Sequence, residues 1–253
     1  MKKWVMIPLV ILVSLITGAS YYYYNYIYKA PEAVESRELM ETNSSYEYLI
    51  QDAGYRIAEN SYDCKVLINP VYGGPDGGMA AGKLREADIA LSVAMYVEQL
   101  NTDDKLGIFL TRDTDTNPTE GQRLRFVEVV DPDIVLEIRV NSNADTSVIG
   151  TSVYYDNEYY DFHLVNSRLA DVLEKSIVTE IEGVAEGIFP LEDGTSDFIK
   201  QMHRPSALIR CGYITGDKEA AALASETYKS NIAKGILNAI EEVRSADYTS
   251  EEE

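Results

Sequence analysis

Cysteine and histidine are scarce in this 253-residue chain, which has only Cys64, Cys211, His163 and His203. Two cysteines cannot build a disulfide scaffold, and two histidines leave little material for a metal centre. Basic residues are outnumbered, with 22 Lys and Arg against 42 Asp and Glu and a formal charge of -20. A surface of that sign repels polyanions, so nucleic acid is excluded as a partner. The composition is otherwise that of a folded protein, 45% apolar and 25% charged, too apolar for a disordered chain. The length suits one domain of roughly 180–200 residues with appendages.

One long uncharged stretch stands at the N-terminus, where Lys2 and Lys3 precede a run without charge from Trp4 to Tyr28. Its strongly apolar part is about 16 residues, a little short of the ~20 that cross a bilayer. Tyrosines at 21–24, 26 and 28 extend it with rings suited to a membrane interface. Lysines before the run and acidic residues after it predict a signal-anchor at 1–28, with the rest of the chain outside the cell. The rival reading is a leader cleaved near Thr17-Gly18-Ala19, which would leave a secreted protein. Residues 29–62 are polar and acidic without strand alternation and read as a linker, part of which could be helical. Residues 247–253 read as an acidic tail.

Between them, 63–246 alternates between two periodicities. Short apolar runs at 65–69, 108–110, 134–138, 151–155 and 207–209 predict strands. Amphipathic stretches near 84–100, 119–130, 163–181 and 225–244 predict helices, the last with Ser225 as its N-cap. Segment 183–204 reads as irregular. Strands alternating with helices specify an α/β fold with a mostly parallel twisted sheet flanked by helices. Ligands in such folds bind beyond the carboxyl ends of the strands, here Val71-Tyr72, Arg139 to Asn141 and Arg210 to Tyr213.

Those strand ends carry a pattern. INPVYGGPDGG at 68–78, KLREADIAL at 83–91, LTRDTD at 110–115, DIVLEIRVNSNA at 133–144 and PSALIRCGYITG at 205–216 occur in that order. They resemble, segment by segment, the D-P-G-H-G-G-x-D-x-G, G-L-x-E-K-D-x-x-L, V-x-T-R-x-x-D, D-x-x-x-S-I-H-x-N-A and P-x-x-L-x-E-x-G-F motifs of the zinc-dependent N-acetylmuramoyl-L-alanine amidases of the amidase-3 type. The resemblance implies the fold of those cell-wall hydrolases, a peptidoglycan context, and a site at the strand ends.

It also implies where the chemistry should be. Members of that family hold one zinc ion with two histidines and a glutamate, and a second glutamate is the general base. On this sequence the two histidine positions fall on Tyr72 and Arg139, the ligand glutamate on Glu86, and the base on Arg210. Arginine has no lone pair for a metal and cannot take a proton from water, and neutral tyrosine is a poor replacement for imidazole. The expectation is therefore a non-catalytic relative without zinc, whose cleft binds through Tyr72, Glu86, Arg139, Asn141 and Arg210. Its partners would be peptidoglycan fragments or another envelope protein. Glu86 is expected to bridge one or both arginines where the metal would sit. Two alternatives stand beside this: an active amidase with a site rebuilt from Cys211, His203 and Glu86, and a purely structural envelope protein. Alternation along the strand argues against the rebuilt site, since Arg210 in the cleft turns Cys211 away from it. Arg112 and Asp115 read as residues that fix a turn, and Asn141 as one that satisfies backbone groups. Tyr154, Tyr155, Tyr159 and Tyr160 read as core and rim, or as an aromatic patch. A Cys64–Cys211 disulfide is left open by the sequence.

Overall fold

The computed structural model describes residues 29–158 and 164–246. The expected membrane segment, Tyr159, Tyr160, His163 and the acidic tail lie outside those residues. No described helix is long and apolar enough to cross a membrane. The chain divides after Ser44 into two units, and the helix α1 (Lys29–Glu59) begins in the first and continues into the second, the α/β body.

The strands of the main sheet are β1 (Cys64–Pro70), β4 (Leu106–Leu110), β5 (Ile134–Asn141), β6 (Thr151–Tyr155), β7 (Ala185–Pro190) and β8 (Ser206–Tyr213). All of them but β7 follow from short apolar runs. A two-stranded ribbon, β2 (Ala80–Ala81) and β3 (Leu84–Arg85), lies apart from them. The main sheet has the order β4-β1-β5-β8-β6-β7. Every neighbouring pair in it is parallel except β6 with β8. β1 is apolar almost throughout because both of its faces are covered. Val66 and Ile68 face one core, together with Ile108, Leu136 and Ile209. Leu67 faces the other, with Phe109, Val135 and Leu208.

The first core is closed by α2 (Glu86–Leu100), α4 (Asn166–Ile181) and α7 (Glu226–Ser245). Gly235 lets α7 approach α4 closely, since a Cβ there would lie 2.5 Å from the Ile177 Cα. The second core is covered by α3 (Glu120–Val130), the short α5 (Asp197–Lys200) and the end of α1. Thr119 and Gln122 form a capping box at the start of α3. Ser225 occupies the N-cap of α7, after α6 (Asp217–Leu223), but its side chain makes no capping bond.

Two expectations are corrected here. Residues 45–59 are not linker: they are helical, and Tyr46, Ile50 and Ala53 are buried in the second core. Their i, i+4, i+7 spacing makes one buried stripe along the helix. Arg56 fastens this helix by donating to the Ile108 carbonyl at 2.8 Å, with its guanidinium 4.6 Å from the Phe109 ring centre. Segment 183–204 is likewise not wholly irregular, for it holds β7 and α5. β7 is an exposed edge strand with Gly187 and Pro190, so it carries no apolar run to betray it.

Arg112, only 1% exposed, ties the strand ends together. It donates to the carbonyls of Pro70, Val71 and Ala87, each at 2.9 Å, and to Thr114 at 2.9 Å. Burial lowers its pKa to about 10, which still leaves it charged at neutral pH. Asp115 completes the turn by accepting from the Gly74 amide at 2.8 Å and from Arg85 at 2.9 Å. The sequence expectation of a turn-fixing pair holds.

Two stability measurements follow. Arg112→Lys cannot reach all four carbonyls and should lower the unfolding free energy by about 3 kcal/mol or more in urea titrations. Tyr46→Ala should cost about 3–5 kcal/mol, as for other large buried rings. Tyr46→Phe should cost nothing or stabilise, because the buried Tyr46 hydroxyl has no hydrogen-bond partner.

Candidate functional site

The site begins where β1 ends. Tyr72 adopts φ 59°, a left-handed conformation uncommon for a bulky residue. The chain then folds back through a tight pair, with the Gly73 amide donating to Asp76 O at 2.8 Å and Asp76 N to Gly73 O at 3.1 Å. Gly73 can only be glycine, because φ is 137° and a Cβ would lie 2.0 Å from the Thr116 carbonyl oxygen. Gly78 packs so closely that a Cβ would meet both the Tyr72 ring and the Glu86 carboxylate. The glycine-rich turn thus closes over the two residues that it connects.

Glu86 opens α2 and is 2% exposed. Its two oxygens are held by backbone amides: Met79 N donates to Oε2 at 3.0 Å and Val140 N to Oε1 at 3.1 Å. Burial pushes its carboxyl above the ordinary range, against the pull of those amides and the positive charges of Arg139 and Arg210. The arginines influence it without pairing. The expected Glu86 bridge is absent: its oxygens accept from the Met79 and Val140 amides, while Arg139 donates to Glu137 and Arg210 to Asn141 Oδ1 and the Tyr154 hydroxyl.

Arg139 and Arg210 are register partners on adjacent parallel strands, so their side chains leave the same face of the sheet. Each has its own compensation. Arg139 Nε donates to Glu137 Oε1 at 2.7 Å, and its guanidinium lies 5.7 Å from the Tyr72 ring centre. Arg210 lies 4.5 Å from the Tyr154 ring centre. Its Nη1 contacts the Tyr154 hydroxyl at 3.3 Å and Asn141 Oδ1 at 3.4 Å. Asn141 Oδ1 also accepts from Ser142 N at 3.0 Å, so Asn141 does serve the backbone beside the cleft. Tyr154 and Tyr155 are half-buried, core and rim in place of an exposed patch.

Three participants escaped the sequence reading. Glu137, 1% exposed, accepts from Asn69 Nδ2 at 2.9 Å as well as from Arg139. Asn69 in turn accepts from the Thr111 hydroxyl at 2.8 Å, so a buried polar chain runs across β4, β1 and β5. Glu137 stood inside a strand run, and an acidic residue two positions before Arg139 was the available signal. Arg123 on α3 is the third. Its Nη2 donates to Asn117 at 2.7 Å, its Nε is buried without a partner, and it makes no ion pair among the described residues. Burial lowers its pKa, with Glu137 opposing and Arg139 reinforcing that shift. Tyr72, Arg139, Glu137 and Arg123 line a cavity of about 280 Å³. A larger hollow of about 550 Å³ opens at the amino ends of the strands, around Cys64, Asp133 and Arg244, and none of the expected site residues lies there.

The donor set does not fit a zinc ion. Glu86 is a lone carboxylate at these positions, Arg139 and Arg210 have no lone pair, and no three His, Cys, Asp or Glu among the described residues are grouped to hold a metal. The rebuilt site does not assemble either. Cys211 is wholly buried in the first core, on the face opposite Arg210, while His203 is exposed beyond α5. Burial raises the Cys211 thiol to about 12 and that of Cys64 to about 11, and both cysteines are free, so the open disulfide is not formed.

The chain matches the N-acetylmuramoyl-L-alanine amidase family over residues 66–242. It is 25% identical over 191 residues to the germination-specific N-acetylmuramoyl-L-alanine amidase of Bacillus subtilis, covering 69% of this chain and 77% of that protein. Among solved structures, the catalytic domain of the amidase CwlV from Bacillus (Paenibacillus) polymyxa superposes with a TM-score of 0.64 at 27% identity, covering 71% of this chain and 97% of the other. The amidase AmiC2 of Nostoc punctiforme gives a TM-score of 0.66 at 26% identity, covering 74% and 100%. The strand-end motifs, the sheet built on them and these likenesses agree: the chain belongs to the N-acetylmuramoyl-L-alanine amidase family.

Proposed function

We propose that this protein is a non-hydrolytic amidase relative that binds peptidoglycan fragments at the carboxyl edge of its sheet. Membership of a cell-wall amidase family sets it in a peptidoglycan context. The observation that carries the further step is the pair of half-buried arginines, Arg139 and Arg210, side by side at the ends of β5 and β8. These are the positions where the resemblance puts a metal ligand and the general base. A guanidinium stays protonated at any physiological pH, so it neither holds a metal nor accepts a proton from water. What it does well is bind carboxylates through paired N–H donors. Glu86, the acidic residue kept at a ligand position, is used to satisfy the Met79 and Val140 amides and so serves the fold of the cleft.

Location belongs to the same proposal. Lysines before the uncharged run at 4–28 and acidic residues after it support an anchor at 1–28 with the body outside the cell. Wall fragments are encountered on that side.

The test is direct. Purified chain incubated with isolated cell walls, with and without added zinc, should release no stem peptide, while the protein should sediment with the walls. Zinc-dependent release of free peptides would falsify the non-hydrolytic reading. Arg210→Gln, which removes no ion pair, should weaken co-sedimentation about tenfold if the arginine carries a charge-assisted contact worth ~1.5 kcal/mol. Retention unchanged in Arg210→Gln and in Arg139→Glu would leave the cleft without a binding role.

A further inference from the structure

The main sheet ends in β4 on one side and β7 on the other, and the two edges differ. β4 is buried along its whole length, whereas four of the six residues of β7 are exposed. No described strand pairs with the outer side of β7. Edges are commonly blunted by lysine, proline or a covering element. β7 has no lysine, and its proline is the last residue, past the stretch 185–189. One amide of that stretch is used, since Gly187 N donates to Glu174 Oε1 at 2.5 Å. Val184, just before the strand, and Phe189, near its end, are large apolar side chains left exposed. Charge around this edge has one sign. From 176 to 193 the chain carries Glu180, Glu182, Glu186, Glu192 and Asp193 and no Lys or Arg. Of these, only Asp193 is in an ion pair among the described residues, with Lys200 at 2.6 Å. Glu186 and Glu180 accept from the Tyr213 hydroxyl and the Asn238 amide, which leaves their charges in place.

We infer that the β7 edge docks a basic, extended segment of a partner protein, which adds beside it as a further strand. Main-chain hydrogen bonds to an open edge supply affinity, and the side chains around it supply selectivity. Here the apolar ends favour a segment with alternate apolar residues, and the glutamates favour lysine or arginine between them. A second copy of this chain is a poor occupant. β7 laid against β7 would bring the same glutamates together, in a protein that already carries a charge of -20. No residue of β7 lines the cavity beside Arg139. The inference is therefore separate from the wall-binding reading, and neither falls with the other.

The probe is an end-capped octapeptide of alternating lysine and valine, titrated calorimetrically into the purified full chain. It should bind about tenfold or more tightly than the glutamate–valine peptide of the same length. A protein of this charge attracts any basic peptide, so two further forms place the contact in the backbone, one N-methylated on its valines and the other on its lysines. Alternate amides of a strand point to opposite edges, so one form should keep the affinity and the other lose it. Amide hydrogen exchange at 185–189 should slow about tenfold with the peptide bound. The double variant Glu182→Gln, Glu192→Gln, at two exposed positions, should weaken binding several-fold. Equal affinity of the two methylated forms overturns the inference, as does unchanged affinity of the double variant. Slowed exchange at the ends of β5 and β8 in place of 185–189 overturns it too. Slowing at 185–189 in the peptide-free chain as its concentration rises, with a dimer in sedimentation velocity, gives the edge to a second copy and overturns the basic partner.

Discussion

Four carbonyls around one buried guanidinium set the geometry of the whole strand-end region. Arg112 sits at the end of β4, yet its hydrogen bonds go to the exit of β1, to the first turn of α2 and to its own turn. A buried charge without a carboxylate is tolerable only when dipoles surround it, and here those dipoles are four backbone carbonyls. The loop from Val71 to Glu86 is thereby clamped at both ends. Tyr72 can then be held at positive φ and Glu86 can be aimed under Gly78, because neither end of the loop is free to relax.

Within that frame the two cleft arginines are kept apart by separate compensation. Glu86 is not shared between them: its two oxygens accept from the Met79 and Val140 amides. Instead Arg139 leans on Glu137, which is itself held by Asn69, and Arg210 rests on the face of Tyr154. The buried chain from Thr111 through Asn69 to Glu137 crosses three parallel strands and makes Arg139 a rigid part of the sheet. A cleft so arranged presents positive charge with little reorganisation on binding.

Most of the fold was legible because its strands are covered on both faces, and double burial writes itself as unbroken runs such as Val66 to Ile68 and Ile134 to Leu136. The elements that were missed bury little. β7 is an exposed edge containing Gly187 and Pro190, and the Tyr46 stripe of α1 has only three members, separated by Glu47, Gln51 and Asp52 among others. The site divides in the same way. Tyr72, Glu86, Arg139, Asn141 and Arg210 were findable from motif order, and the structure gathers them at one sheet end. The bridge expected of Glu86 failed because hydrogen bonds to backbone amides leave no trace in a sequence. Glu137 and Arg123 reach the cleft from a strand interior and a helix, and only the packing of α3 against the sheet brings Arg123 there.

The long-range field bears on what such a cleft can hold. A chain of net charge -20 repels anions at a distance, while the arginines attract a carboxylate only once it is inside. Salt screens the first effect over a Debye length of about 8 Å, but it reaches the half-buried guanidinium groups far less. An anionic polymer approaching the protein therefore meets repulsion before it meets attraction. A ligand with balanced charge avoids that penalty and still gains the contact.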